Sequence, residues 1–372
     1  MAYLWVPETG SYCFFSRFCP IFAFYQRSST FIVLSKSTKI ILNYVFGIGL
    51  FLWLSYSIYH QLKYKNDLSV SVARLKESVS THWFAILAVI AMMFVNWGIE
   101  ARKWQMLIRP VQTLSFRKTY YAILSGVSFS VNTPNRIGEY GGRILYLKSR
   151  NRLRGVAVTM VGSLSQFLTT VFFGLIGFTF YLFRFDPLSK KGGPPYLVWN
   201  ALLVLVVAVG TAFVAFVYFR LDKVTRIFGR LRWLRRFRTY ILIIGDFPRP
   251  VLWKVLGFSV VRYLLFSAQY LILLEAMGVQ MLWWQGFMMI FLIYMVLAVI
   301  PTIAIAELGI RGEVGLYCLG LLSANKIGII AGTVGIWLIN LVIPAIIGSL
   351  LLLGIKVLNE DRVAGLIKKQ QA

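Results

Sequence analysis

Six stretches of about 20 apolar residues, at 39–60, 83–101, 155–183, 196–219, 251–276 and 326–356, constrain what this chain can fold into. Water is absent from the hydrocarbon of a bilayer, so a crossing segment must satisfy its own backbone N–H and C=O groups, which an isolated segment does only as a helix. The expected fold class is therefore an all-α polytopic membrane protein with about six transmembrane helices. Composition agrees: 58% of the residues are hydrophobic and 14% charged, against roughly 45–50% and 25% in a soluble domain.

Two further apolar runs, 119–132 and 286–300, are too short to cross, and each leads through a proline into a charged, glycine-rich stretch. Loop charge orients them, because Lys and Arg accumulate on the cytoplasmic side. Arg102, Lys103, Arg109, Arg117 and Lys118 mark one inner loop, the stretch 143–154 a second and the stretch 220–249 a third. The run 119–132 thus starts and returns inside, as a re-entrant helical hairpin does. The turn 277–282 carries no Lys or Arg and is expected outside, so 286–324 dips in from the opposite face. Both termini are expected in the cytoplasm. The net charge of +26 resides largely in these loops, where anionic lipid headgroups are the expected partner. No recognition helix or soluble basic domain supports nucleic-acid binding.

The hairpins resemble each other. Glu139–Arg143 reads E-Y-G-G-R and Glu307–Arg311 reads E-L-G-I-R, sharing E-x-G-x-R. Sliding one copy onto the other lays 83–101 on 251–269, 119–132 on 287–300 and 155–183 on 323–351, while loop charge gives the paired spans opposite directions. An inverted-topology repeat is expected, with halves at about 83–183 and 251–351. Residues 1–35 form a poorly defined N-terminal extension without a clear cleavage pattern, and 357–372 a cytoplasmic tail.

A charge at the centre of a membrane helix costs about 2.5–3.5 kcal/mol on insertion scales. Arg136, Glu139 and Arg143 in the first hairpin and Glu307, Arg311 and Glu313 in the second must therefore be paired, hydrated or bound. Gly138, Gly141, Gly142, Gly309 and Gly312 allow tight turns and close backbone approach. Pro134 and Pro301 suit the first position of a new half-helix. Half-helix N-termini favour an anion, and arginine adds a planar fork for phosphate. The expected ligand is an anionic headgroup, with Glu139 or Glu307 balancing the arginines or holding a cationic part. The alternative is that these pairs only staple the hairpins in place.

Other polar residues receive narrower readings. Arg262 lies deep in its span and is expected to join the charged set, whereas Gln269 and Glu275 read as polar packing or rim residues. Asn96 and Glu100 share a helix face, with Glu100 near the inner rim in reach of Arg102 and Lys103, which suggests a structural pair. Trp83, Trp104, Tyr196, Trp253, Trp283 and Trp284 at span ends read as interfacial anchors. Pro344 is expected to kink the last span. Cys13, Cys19 and Cys318 suggest neither a disulfide framework nor a metal site, and no cofactor is expected.

The stretches NTPNRIGEYGGRILYLK and IPTIAIAELGIRGE resemble the flippase-like domain of the lysylphosphatidylglycerol synthase transmembrane-region family. The first signature of that family, T-P-x-R-x-G-E-x-x-R, is matched by Thr133, Pro134, Arg136, Gly138, Glu139 and Arg143. Pro301, Gly309 and Arg311 fit the second, where Gly312 separates Arg311 from Glu313. The likeness covers about 36–356. It implies a multi-pass protein of the bacterial inner membrane that moves a phospholipid or lipid-linked headgroup between leaflets. It also implies a stand-alone member, since the 220–250 loop is too short for the aminoacyl-transferase domain of longer relatives. Two other classes remain open: an enzyme using Glu139 or Glu307 as acid or base, and a scaffold recruiting a partner through the basic 220–250 loop. Self-association is left open, as is ion coupling.

Overall fold

The computed structural model describes residues 77–131, 133, 136–185, 194–230, 243–245, 247–300 and 304–352. The extension 1–35, the span 39–60, the tail 357–372, Pro134 and Pro301 lie outside them. Among the described residues every regular element is helical: α1 (Trp83–Ile108), α2 (Phe116–Val131), α3 (Gly138–Ile144), α4 (Arg152–Phe185), α5 (Pro194–Phe219), α6 (Leu221–Arg230), α7 (Arg249–Ala276), α8 (Trp283–Val299), α9 (Ala304–Leu319) and α10 (Lys326–Leu352). Five of these, α1, α4, α5, α7 and α10, are long and apolar enough to cross a membrane, and α8 is a shorter apolar helix. The chain is an all-α polytopic membrane protein.

Helix α1 runs past the expected end at 101. Its 26 residues span about 39 Å at 1.5 Å per residue, more than a hydrocarbon core of about 30 Å. The extra turns form because Lys103, Trp104, Leu107 and Ile108 recur on one helical face and bury it. Trp104 is therefore not an interfacial anchor: it is 1% exposed and its indole Nε1 donates to Thr159 Oγ1 at 2.9 Å. Trp83, Trp253, Trp283 and Trp284 are at least half exposed. At the other end of the chain, the turn Leu338–Val342 within α10 is a π-turn. It lies just before Pro344, which has no N–H to offer the carbonyl of Asn340 and whose ring crowds it.

Helices α1 and α7, the counterparts in the two halves, run antiparallel. Ser78 Oγ, ahead of α1, donates to the Ala276 carbonyl at 3.0 Å, Gln269 Nε2 donates to the Val89 carbonyl at 2.7 Å, and Lys103 Nζ donates to Ser259 Oγ at 3.4 Å. Partner numbers fall along α7 as they rise along α1, which is the register of inverted neighbours. Matched pairs recur elsewhere: α2 packs on α3 and α8 on α9, while α4 packs on α8 and the end of α10 on α2. Gly177 of α4 touches the backbone of α8 at Met288 and Leu292, and Gly348 of α10 touches that of α2 at Leu124. The rings of Phe173, Tyr263 and Phe291, with centroids 5.0–5.5 Å apart and the first two stacked, join α4, α7 and α8. Helix α5 stands at the periphery with most of its apolar side chains outward, as a lipid-facing helix does.

Candidate functional site

The first hairpin closes because small residues line its seam. A Cβ on Gly138 would strike the Phe129 carbonyl, one on Gly142 the Ser125 carbonyl, and one on Gly126 the Glu139 carbonyl. Backbone cannot move aside, so α2 and α3 approach more closely than side chains would allow. Gly141, by contrast, faces open space. At the tip Thr133 Oγ1 accepts from the Gly138 N–H at 2.7 Å, serving one of the free amides at the start of α3. Arg136 sits beside it with φ 55°. A left-handed backbone at a residue with a Cβ costs on the order of 1 kcal/mol and persists only where its surroundings hold it.

What holds Arg136 is the other hairpin. Its Nη2 donates to Glu307 Oε1 at 2.7 Å, and Glu307 also receives Arg311 Nε at 2.9 Å and Nη2 at 2.6 Å. Glu307 and Arg311 are one helical turn apart on α9. The first turns of α3 and α9 carry Glu139 and Glu307, so carboxylates already occupy the positive ends of these helices. Gly309 and Gly312 are buried, and Glu313 is half-buried.

One turn further along α3, Arg143 points the opposite way, into a second ionic set. It pairs with Glu139 on its own helix and, through Nη2 at 3.1 Å, with Glu100 Oε1 on α1. Glu100 Oε2 lies 2.7 Å from Lys103 Nζ and 3.6 Å from Arg262 Nη1 of α7. Glu100 is thus the hub of this set, 5% exposed, joining the first hairpin to both members of the antiparallel pair. Of the two neighbours expected to neutralise it, Lys103 does so, whereas Arg102 turns outward to Gln105 and the Phe116 ring. Arg102 and Lys103 are consecutive, so about 100° of helical rotation separates them. Gln269 is fully buried and bonded to α1, and Glu275 is exposed.

Arg262 is held by Gln166 Oε1 at 3.2 Å and stacks over the Trp97 ring at 5.1 Å. Across both sets, Lys103, Arg136, Arg143, Arg262 and Arg311 stand against Glu100, Glu139 and Glu307. Among these eight side chains cations outnumber carboxylates five to three. Among the described residues the buried Arg143 Nε, Arg262 Nε and Trp97 Nε1 have no hydrogen-bond acceptor, and the buried Asn96 Oδ1 has no donor. Buried donors without acceptors are costly, and an acceptor-rich anion would relieve them. Sequence reasoning did not include Glu100 and Lys103 in the candidate site. Their i, i+3 spacing within an otherwise apolar span was the available signal, and nearness to the span end obscured it.

An all-α bundle with an antiparallel α1–α7 pair and two charged hairpins joined through Arg136 and Glu307 defines a multi-pass membrane protein with ion pairs buried in its interior. The sequence matches the lysylphosphatidylglycerol synthase TM region over residues 40–348, and the chain belongs to that family. It is accordingly a membrane protein of lipid metabolism or translocation. No curated protein matches the sequence.

Proposed function

We propose that the chain translocates an anionic or zwitterionic lipid between leaflets, with the headgroup passing through the pocket between the hairpins and the acyl chains remaining in the bilayer. The observation that carries this reading is a pair of ionic sets inside an otherwise apolar bundle: Arg136 and Arg311 on Glu307 where the two hairpins meet, and Lys103, Arg143 and Arg262 on Glu100 between the first hairpin and the α1–α7 pair. Arg136, Arg143, Arg262 and Arg311 take the phosphate. Glu307 is already held by two arginines, so Glu139, whose side chain is 27% exposed and which among the described residues pairs with Arg143 only, is the carboxylate better placed for a cationic substituent. Rocking of the halves along the α1–α7 seam would open the pocket to each leaflet in turn.

The test uses full-length protein in liposomes carrying a trace of headgroup-labelled phospholipid, with the outer-leaflet label destroyed by an impermeant reductant. Wild type should bring inner-leaflet label out, and the Arg136→Ala/Arg311→Ala variant should do so at least about tenfold more slowly, the loss of two charge-assisted phosphate contacts. Equal rates for the two proteins would remove the reading.

A further inference from the structure

We infer that the chain carries a second lipid site, separate from the ionic pocket, on its Lys- and Arg-rich face: a surface cavity that holds the phosphate of an anionic phospholipid from that leaflet. It begins in the sequence. No Asp or Glu occurs between Glu100 and Glu139, whereas Arg102, Arg109, Arg117 and Lys118 fall close together there. Because α1 overruns the hydrocarbon, its last turns and the loop to α2 reach headgroup level, where such charges meet phosphate.

The cavity has a volume of about 380 Å³ between the end of α1, that loop and α7. Arg102, Arg109 and Thr113 supply donors to its lining, and Met106, Leu114 and Phe258 form an apolar wall. Among the described residues no carboxylate lines it. The loop is built rather than loose: Gln105 Nε2 donates to the Leu114 carbonyl at 2.8 Å, and Asn151 Nδ2 donates to the Val111 carbonyl at 3.2 Å. Arg102 is positioned from two sides, donating to Gln105 Oε1 at 3.0 Å and lying over the Phe116 ring at 4.6 Å. Arg109 is exposed and has no ionic partner among the described residues.

Two guanidiniums without an acid call for an anion, and an apolar wall beside them calls for an amphiphile rather than a free ion. Both demands are met by a phospholipid whose phosphate lies between Arg102 and Arg109 and whose glycerol and first acyl carbons lie along Met106, Leu114 and Phe258. With no carboxylate to receive an ammonium, a zwitterionic headgroup fits less well than a plain phosphate monoester. This site does not rest on translocation.

The probe is diazirine-tagged phosphatidic acid in phosphatidylcholine nanodiscs containing the full chain, with labelled peptides read by mass spectrometry. Labelling is expected in 102–114 and around Phe258, to fall about tenfold in Arg102→Gln/Arg109→Gln, and to persist when the tag is competed with free glycerol phosphate. Both arginines are exposed, so the double variant keeps its melting temperature. Labelling unchanged in that variant, labelling equal with tagged phosphatidylcholine, or full competition by glycerol phosphate would each overturn the inference. Arg136→Ala/Arg311→Ala leaves this labelling intact, so a failed translocation assay and a failed lipid site are told apart.

Discussion

Arg136 and Glu307 are 171 residues apart in the chain and 2.7 Å apart in space, and the arginine reaches its partner from a left-handed backbone. The two ends of this contact are unequal. Arg136 has a side chain 41% exposed, whereas Glu307 is 10% exposed and also holds Arg311, itself 14% exposed.

Removing one end should therefore differ from removing the other. Arg136→Gly loses a half-exposed pair, worth at most about 1 kcal/mol, and relieves backbone strain of similar size. Its thermal unfolding in detergent should match wild type within about 1 kcal/mol, while lipid translocation falls. Glu307→Gln strands a buried guanidinium at a cost of about 3–5 kcal/mol, and should melt well below wild type. Equal destabilisation by both would contradict the asymmetry.

Glu100 faces three cations, Lys103, Arg143 and Arg262. Glu100→Gln leaves them without their shared anion and should destabilise by about 3–5 kcal/mol. Adding Lys103→Met removes the most buried of these charges and should restore part of the loss. A double variant no more stable than Glu100→Gln alone, read by thermal unfolding and by yield of monodisperse protein, would show that Glu100 is not their hub.

The hairpin seam offers a contrast between two glycines one residue apart. Gly142→Ala forces a methyl group against the Ser125 carbonyl, an overpacking cost of about 1–3 kcal/mol. Gly141→Ala meets nothing and should be neutral or gain up to about 1 kcal/mol from helix propensity. Melting temperatures of the two variants decide it, and similar losses would mean that α2 and α3 are not in close contact.

The antiparallel register puts Ser78 and the α7–α8 turn at one end of the bundle, opposite the basic loops. Single cysteines at Ser78 and Ser149, in protein lacking Cys13 and Cys19, should react differently with an impermeant maleimide on intact cells. Ser78→Cys should label at once and Ser149→Cys only after permeabilisation, because positive loops stay inside. Cys318 is fully buried and contributes little background. Labelling of both from the same side would rule out the inverted arrangement.

Much of this architecture was legible in the residues themselves. Hydropathy located α1, α4, α5, α7 and α10 to within a few residues, save the C-terminal end of α1, because burial in lipid acts on each span separately. The E-x-G-x-R echo located both hairpins, and Arg136, Glu307 and Arg311 meet there. The C-terminal end of α1 was harder to read, since charged residues there look like a rim until their partners are known. Lys103 and Trp104 turned out to be buried against α7 and α4.

The sequence by itself determined which segments enter the membrane and which charges enter with them, since both follow from the cost of placing each residue in hydrocarbon. Tertiary structure alone decided that Arg136 would choose Glu307, that Arg143 would turn to Glu100, and that Arg102 and Lys103 would face opposite environments. Ion pairing depends on distances of a few ångströms, and those are set by the register in which α1 and α7 dock antiparallel, a choice made by packing between helices more than 150 residues apart rather than by anything local.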